Sequence, residues 1–276
     1  MLIVHIQGTA RIASISCLAV AAILGCRSEK PAPLPKQSPR ESMSSAAVAM
    51  TSVRTLEQLV NTDQPGITLV RSWVAGAKNP VEVLPVEPDA GRRALLALQV
   101  TSRSPMGAVA LETGGILVDY GWVRVLGGGR ARLSRTIQGW NDLAAARPAG
   151  RLPGAILVAD DAVGGFFAVN GGGIPGAPGH VFYFSPTALR WEDIAPSYSD
   201  WLLGIMSGDL AKFYEGMRWP GWEKDAAALP GDQAFSIYPF LFAAGPEVGK
   251  RSRRPVPIEE LWHLHVQDLP KQLAPG

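Results

Sequence analysis

Ala155–Asp193 reads AILVADDAVGGFFAVNGGGIPGAPGHVFYFSPTALRWED, and its pattern of apolar runs and turn residues sets the architecture of the chain. Three runs, Ala155–Ala159, Phe166–Val169 and His180–Phe184, are separated by Asp160-Asp161, Gly164-Gly165 and a glycine–proline loop from Asn170 to Gly179. Ser185-Pro186 then turns the chain into Leu189–Trp191. Short apolar runs bounded by Gly, Asn, Asp and Pro predict strands, because those residues build turns and interrupt helices. No helical repeat lies between the runs. The strands are therefore expected to be antiparallel, since parallel pairing needs long crossovers.

Upstream, Gly107–Glu112, Ile116–Tyr120 and Trp122–Leu126 are short apolar runs separated by Thr113-Gly114-Gly115 and Gly121. They predict earlier strands of the same meander. Gly127–Arg151 carries Arg132, Arg135 and Arg147 and is expected to be a solvated basic loop. Before the sheet, Thr55–Val60 predicts a short helix. Thr62 or Asp63 is expected to cap a second helix, with Pro65 in its first turn and Ile67, Val70, Trp73, Val74 and Ala77 on one face. Val81–Val86 reads as an extended connection, and Pro88 opens a helix that turns Leu95 and Leu98 to the core.

The last third is mostly helical. Ser199 or Asp200 caps a helix bearing Trp201, Leu202 and Ile205, and Asp209 caps a short one bearing Leu210, Phe213 and Tyr214. Glu223–Leu229 is helix-like, Gly231–Leu241 is extended, and Arg251–Arg254 reads as an exposed basic loop. Pro257 opens a final helix with Ile258, Leu261, Trp262, His265 and Leu269 on one face. The expected fold is α+β: a mainly antiparallel sheet flanked by N- and C-terminal helices, in a single globular domain over residues 52–276.

Composition narrows the function classes. The 276 residues are 47% hydrophobic and 18% charged, with a net charge of +2, enough apolar content for a sizeable core. No dense Lys/Arg patch marks a nucleic-acid partner. The N-terminal residues read as an export signal over 1–26. Ile12–Gly25 is apolar apart from Ser14 and Ser16, and too short for a span of roughly 20 residues. It ends Ile23-Leu24-Gly25-Cys26, which resembles a bacterial lipobox. That resemblance implies cleavage before Cys26, lipidation of its thiol and amine with fatty chains such as palmitate, and an outer-membrane address, because Arg27 follows. Residues 27–51 are rich in Pro, Ser and charge, with prolines at 31, 33, 35 and 39, and predict a disordered tether. The expected location is the cell envelope, lipid-anchored on the periplasmic face; a start at Met43 or Met50 would instead leave the protein cytoplasmic. Cys17 and Cys26 are the two cysteines, so the domain has no disulfide, thiolate metal site or cysteine nucleophile.

No motif assembles a catalytic set. Gly127–Gly129 and Asn170–Gly173 lack the Lys and Ser/Thr that enter a helix in a P-loop, so neither nucleotide nor another cofactor is expected. His263 and His265 are two apart on a helix and cannot share a metal; His265 is expected beside the core and His263 in solvent. No Gly-x-Ser-x-Gly elbow is present. Asp160, Asp161 and Glu192 are the candidate carboxylates. Glycosidases need two that face each other, and neighbours on a strand point to opposite faces, so Asp160 and Asp161 offer one between them. Turn formation and capping are the favoured roles for all three. Asn170, Trp219 and Trp222 are the candidate binding residues, with a core role favoured for the aromatics.

GGFFAVNGGG at 164–173, GHVFYFSPTALRWE at 179–192, SGDLAKFYEGMRWPGWE at 207–223 and GDQAFSIYPFL at 231–241 resemble a bacterial family of uncharacterised, domain-of-unknown-function proteins over residues 52–270. Helices followed by an antiparallel sheet also resemble the SUKH superfamily, several of whose members are immunity proteins that bind toxins. The resemblance implies no catalytic residue. The expected function is a non-catalytic, envelope-anchored protein- or ligand-binding module, with an immunity-like role within that class. The alternative is an envelope hydrolase or carbohydrate-binding protein using Asp160 or Asp161, Glu192 and the Trp219–Trp222 turn. The expected partners are the membrane, through the lipid, and a protein.

Overall fold

The computed structural model describes residues 53–143 and 151–273; the expected lipobox at Cys26, the tether over residues 27–51, the alternative starts Met43 and Met50, and Arg147 lie outside them. Seven strands form one antiparallel sheet in chain order: β1 (Val81–Leu84), β2 (Gly115–Val118), β3 (Val123–Leu126), β4 (Ala155–Asp161), β5 (Phe166–Asn170), β6 (Val181–Ser185) and β7 (Arg190–Ala195). Each strand pairs with its neighbour in sequence, as the turn chemistry predicts for β4 to β7. The Val81–Val86 connection is itself the edge strand β1, paired with β2.

Among the described residues, ten α-helical segments accompany the sheet: α1 (Leu56–Leu59), α2 (Gly66–Ala75), α3 (Pro88–Leu98), α4 (Pro105–Glu112), α5 (Ile137–Trp140), α6 (Tyr198–Ser207), α7 (Leu210–Phe213), α8 (Trp222–Ala228), α9 (Ile258–Leu261) and α10 (Leu269–Gln272). A π-helical turn, Trp262–Asp268, joins the last two. Asp209 caps α7 as expected, accepting from the Lys212 N–H at 2.9 Å. Two other caps differ. α2 starts directly after Pro65, its Gly66 N–H held by the Ser102 carbonyl at 2.8 Å, and Ser197, not Ser199 or Asp200, caps α6.

Helix α4 overturns the expected strand at Gly107–Glu112. Ser104 accepts from the Gly107 N–H at 3.1 Å and Pro105 occupies the first turn, a strong helix start. Gly107, Ala108, Val109 and Ala110 are all buried, so the helix shows no polar face to reveal its period. Arg251–Arg254 is exposed at Ser252 and Arg254 as expected, but it is not a loop. It leads into β9 (Ser252–Pro257), which pairs with β8 (Gln233–Tyr238), while Arg251 binds the carbonyls of Pro239, Phe240 and Ala243.

Cross-strand partners share a face, so register assigns the two sides of the large sheet. Arg124, Asp160, Phe166, Phe184 and Trp191 lie on one face. The β8–β9 ribbon and the C-terminal helices cover it: Trp262 meets Phe166 edge-on at 5.0 Å, and the Phe235 N–H donates to the Ala162 carbonyl at 2.7 Å. Ala159, Phe167, Tyr183 and Glu192 lie on the other face, where α6 docks Trp201 on Phe167 at 5.3 Å. Cover on both sides explains why β6 is buried along its whole length. β4 bulges between Leu157 and Ala159, beyond the end of its pairing with β3. There the Asn141 amide takes the place of a strand, donating to the Leu157 carbonyl at 2.8 Å and accepting its N–H at 2.7 Å. Among the described residues no helix is long and apolar enough to cross a membrane.

Candidate functional site

The candidate carboxylates come first, because they separate catalysis from structure. Asp160 is sealed from solvent. Its Oδ1 lies 2.6 Å from Arg124 Nη2, an ion pair without hydrogen-bond alignment, and its Oδ2 accepts from Arg135 Nη1 at 2.6 Å. Arg124 also donates to the carbonyls of Asp161 and Gln233, and Arg135 to that of Gly231. Burial lowers the pKa of Arg124, and Asp160 opposes that shift. The three residues form a bracket that joins the sheet to the segment before β8.

Asp161 points to the opposite face, as strand alternation requires, and is equally sealed. It accepts from the N–H groups of Val163 and Gly165 at 2.9 and 2.8 Å and from the Tyr183 hydroxyl at 2.7 Å. Burial raises its pKa against those bonds. Burial, and then Asp161 itself, pushes the Tyr183 hydroxyl well above its ordinary value. Asp161 thus holds the turn between β4 and β5. Glu192 sits on β7 and binds Arg190 at 3.1 Å, and Glu215 is exposed beyond α7. The structure does not bring Asp160 or Asp161 to face Glu192 across an open cleft, so the paired-carboxylate geometry of a glycosidase is absent from these residues.

The candidate binding residues also turn inward. Asn170 is buried; its Nδ2 donates to the Ile174 carbonyl at 2.8 Å, and its Oδ1 accepts from the N–H groups of Gly172 and Ile174. It organises its own loop and presents no side chain to a ligand. Trp219 is 1% exposed, donates Nε1–H to Asp225 at 2.7 Å and meets Phe235 edge-on. The carbohydrate-platform reading of the Trp219–Trp222 turn loses that ring. Trp222 is half-buried, with the Arg218 guanidinium 3.9 Å from its ring centre and Arg218 paired with Asp119 at 2.7 Å. His265 is buried beside the core and His263 is exposed, as the helical spacing predicts. Burial lowers the pKa of His265, whose Nδ1 lies 3.1 Å from the Gly164 carbonyl. Among the described residues no His, Cys, Asp and Glu group is arranged to hold a metal ion.

The basic loop is less solvated than its composition predicts. Arg135 and Arg151 flank the Trp140 ring at 4.7 and 4.2 Å, and Arg151 also binds Glu259 at 2.5 Å. Arg132 does point outward, paired with Glu82. A hollow of about 440 Å³ opens beside Arg135, Trp140 and Glu259, but Asp160 and Arg151 already neutralise its two innermost charges.

A different cleft, of about 210 Å³, lies where β7 ends against α6 and α7. Phe167, Trp201 and Phe213 form its aromatic walls, Ile194 and Ala195 belong to β7, and Asp200 and Asp209 complete the lining with carboxylates. Phe213 is 37% exposed. The sequence marks Trp201 as core and Asp200 and Asp209 as caps; nothing local in it signals that β5, β7, α6 and α7 converge here. β7 is also an outer edge of the large sheet.

Comparison with known proteins gives the family. The family model described as "Protein of unknown function DUF2625" matches residues 56–261. The chain is 40% identical over 215 residues to "Putative uncharacterized protein YbfG" of Escherichia coli K12, covering 78% of this chain and 97% of that protein. It is 38% identical over 189 residues to an "Uncharacterized protein" of Haemophilus influenzae, covering 68% of this chain and 83% of that protein. With most of the globular domain matched by the model and by both relatives, the chain belongs to the DUF2625 family.

Proposed function

We propose that this protein is a non-catalytic, partner-binding module of the bacterial cell envelope, tethered by lipid on Cys26. The observation that carries the reading is the open aromatic cleft between β7, α6 and α7, set against candidate carboxylates Asp160 and Asp161 that are sealed inside the fold. An exposed apolar concavity with a few polar groups is the usual form of a binding site. The lipobox-like Ile23-Leu24-Gly25-Cys26 and the Pro-rich residues 27–51 support the envelope address. Multiple acyl chains would hold the domain firmly, whereas one gives marginal attachment. An immunity-like role, with a toxin as partner, belongs to the same class.

Two experiments in the producing bacterium test this. The photo-crosslinker p-benzoylphenylalanine, placed at Phe213 in the cleft and at exposed Leu96 on α3, should give a discrete protein adduct from position 213 alone. Adducts from neither position, or equally from both, would refute the cleft as the binding site. Cys26→Ala should move the protein from the membrane pellet to the soluble fraction; continued membrane association would refute the lipid anchor.

A further inference from the structure

We infer that the cleft and the neighbouring edge of β7 together receive an extended segment of the partner protein, which adds to β7 as an eighth strand and inserts a Lys or Arg side chain between Asp200 and Asp209. This inference rests on the partner-binding reading above and specifies its chemistry.

The backbone supplies the first half. β7 pairs with β6 alone, and among the described residues its outward N–H and C=O groups hold no backbone partner. Such an edge is a template for a strand from another chain. Indiscriminate pairing is discouraged by charge over most of its length: Arg190 binds Glu192, and Asp193 binds His180 at 2.8 Å. The uncharged end, Ile194–Ala195, is the part that borders the cleft. A strand laid along β7 would send alternate side chains towards the face on which the cleft opens.

The cleft supplies the second half. Its volume of about 210 Å³ is below the roughly 300–1,000 Å³ of pockets that enclose drug-sized ligands, and suits one long side chain. Its aromatic walls favour an apolar stem, but two carboxylates share the lining. Asp200 Oδ2 accepts the Ser197 hydroxyl at 2.5 Å and Asp209 Oδ1 accepts the Lys212 N–H, so among the described residues each keeps one oxygen without a hydrogen bond. A wholly apolar guest would strip water from both without replacement, which is costly. Lys or Arg lays its methylenes on the aromatic walls and its cation against the carboxylates. Charge complementarity therefore selects a basic residue on an extended backbone.

The test is selection of a phage-displayed library of random dodecapeptides on the purified full chain in detergent. Enriched peptides should carry Lys or Arg flanked by β-branched residues, with no proline in that core. Gly204→Leu is the key variant: Gly204 lines the cleft on α6, and a Cβ built there meets nothing within 4 Å, so a larger side chain can start there and occupy the cleft. It should weaken peptide binding about tenfold or more while the melting temperature is maintained. Asp200→Asn with Asp209→Asn, which leaves Asn able to cap α7, should do the same. Peptides enriched without a basic residue, or binding that survives Gly204→Leu, would overturn the inference. So would a dimer in solution that Gly204→Leu dissolves, since the occupant would then be a second copy. If no peptide enriches, strand addition is refuted; a partner adduct at Phe213 would still stand for the broader binding function, so the two failures are distinguishable.

Discussion

Arg124 on β3 and Asp160 on β4 face each other in register, with nitrogen and oxygen 2.6 Å apart and both side chains sealed from water. Asp160 is also the counter-ion of Arg135, so one carboxylate serves two guanidinium groups. Asp160→Asn would leave both cations buried without compensation, and breaking a buried pair in this way costs about 3–5 kcal/mol. Urea denaturation should show that loss as a lower midpoint at unchanged slope. A loss of less than about 1 kcal/mol, the range of surface pairs, would show that water reaches the bracket.

His265 makes stability depend on pH. Its Nδ1–H donates to the Gly164 carbonyl, and burial holds its pKa below the ordinary 6.5. Between the lowered value and 6.5 the unfolded chain takes up a proton that the folded chain does not, so the contribution is full above 6.5, is lost as pH falls through that window, and is constant below it. Asp161 has the opposite sense: its raised pKa makes stability decline as pH climbs from 3.8 to the raised value. The contribution of His265 is therefore read against His265→Gln: the wild-type melting temperature should gain on the variant's as pH climbs towards 6.5 and keep that gain above it. An equally steep profile in the variant would assign the dependence to other groups.

Asn170→Ala removes the amide that ties the glycine–proline loop. The Gly172 and Ile174 N–H groups lose their acceptor and the Ile174 carbonyl loses a donor. Orphaned buried groups cost about 1–3 kcal/mol each when no water replaces the partner. Hydrogen exchange should accelerate at Gly172 and Ile174, while the amides of β4 keep their protection. Unchanged exchange in the loop would mean that glycine turns alone hold it.

Gly91→Ala sets two effects against each other. Alanine is favoured over glycine inside a helix by about 1 kcal/mol. Here, however, the new Cβ would strike the carbonyl oxygen of Leu111 in α4, a backbone atom with no rotamer to yield. Overpacking of that kind costs about 1–3 kcal/mol or more, so the collision wins and thermal denaturation should register destabilisation. Stabilisation would show that α3 and α4 can separate.

The strands β4 to β7 are legible in the sequence because Gly164-Gly165, Asn170–Gly179 and Ser185-Pro186 carry local turn chemistry at each reversal. Helix α4 is not, because its central turn, Gly107–Ala110, is wholly buried and carries no polar residue to betray the period. The opposite orientations of Asp160 and Asp161 follow from strand alternation, but their sealing does not. Arg124, opposite Asp160, reaches the carbonyl of Gln233, more than a hundred residues further along the chain. Arg135 and Arg151 look solvated for the same reason: their partners at Gly231 and Glu259 are remote in sequence. The cleft is assembled from Phe167 on β5, the end of β7 and two helices, each of which reads locally as an ordinary core element.

The chain-order meander has a consequence for synthesis. Every strand from β1 to β7 finds its partner in the segment just completed, so the sheet can close as a succession of local loops with small entropy cost. The cover over Phe166 and Asp160 comes from residues beyond 230, which are synthesised after all seven strands of that sheet. A nascent chain therefore carries a formed sheet with one greasy, charged face bare until those residues emerge. A truncation before β8 should leave that face permanently open, giving a species that pairs its strands yet is held by chaperones or aggregates.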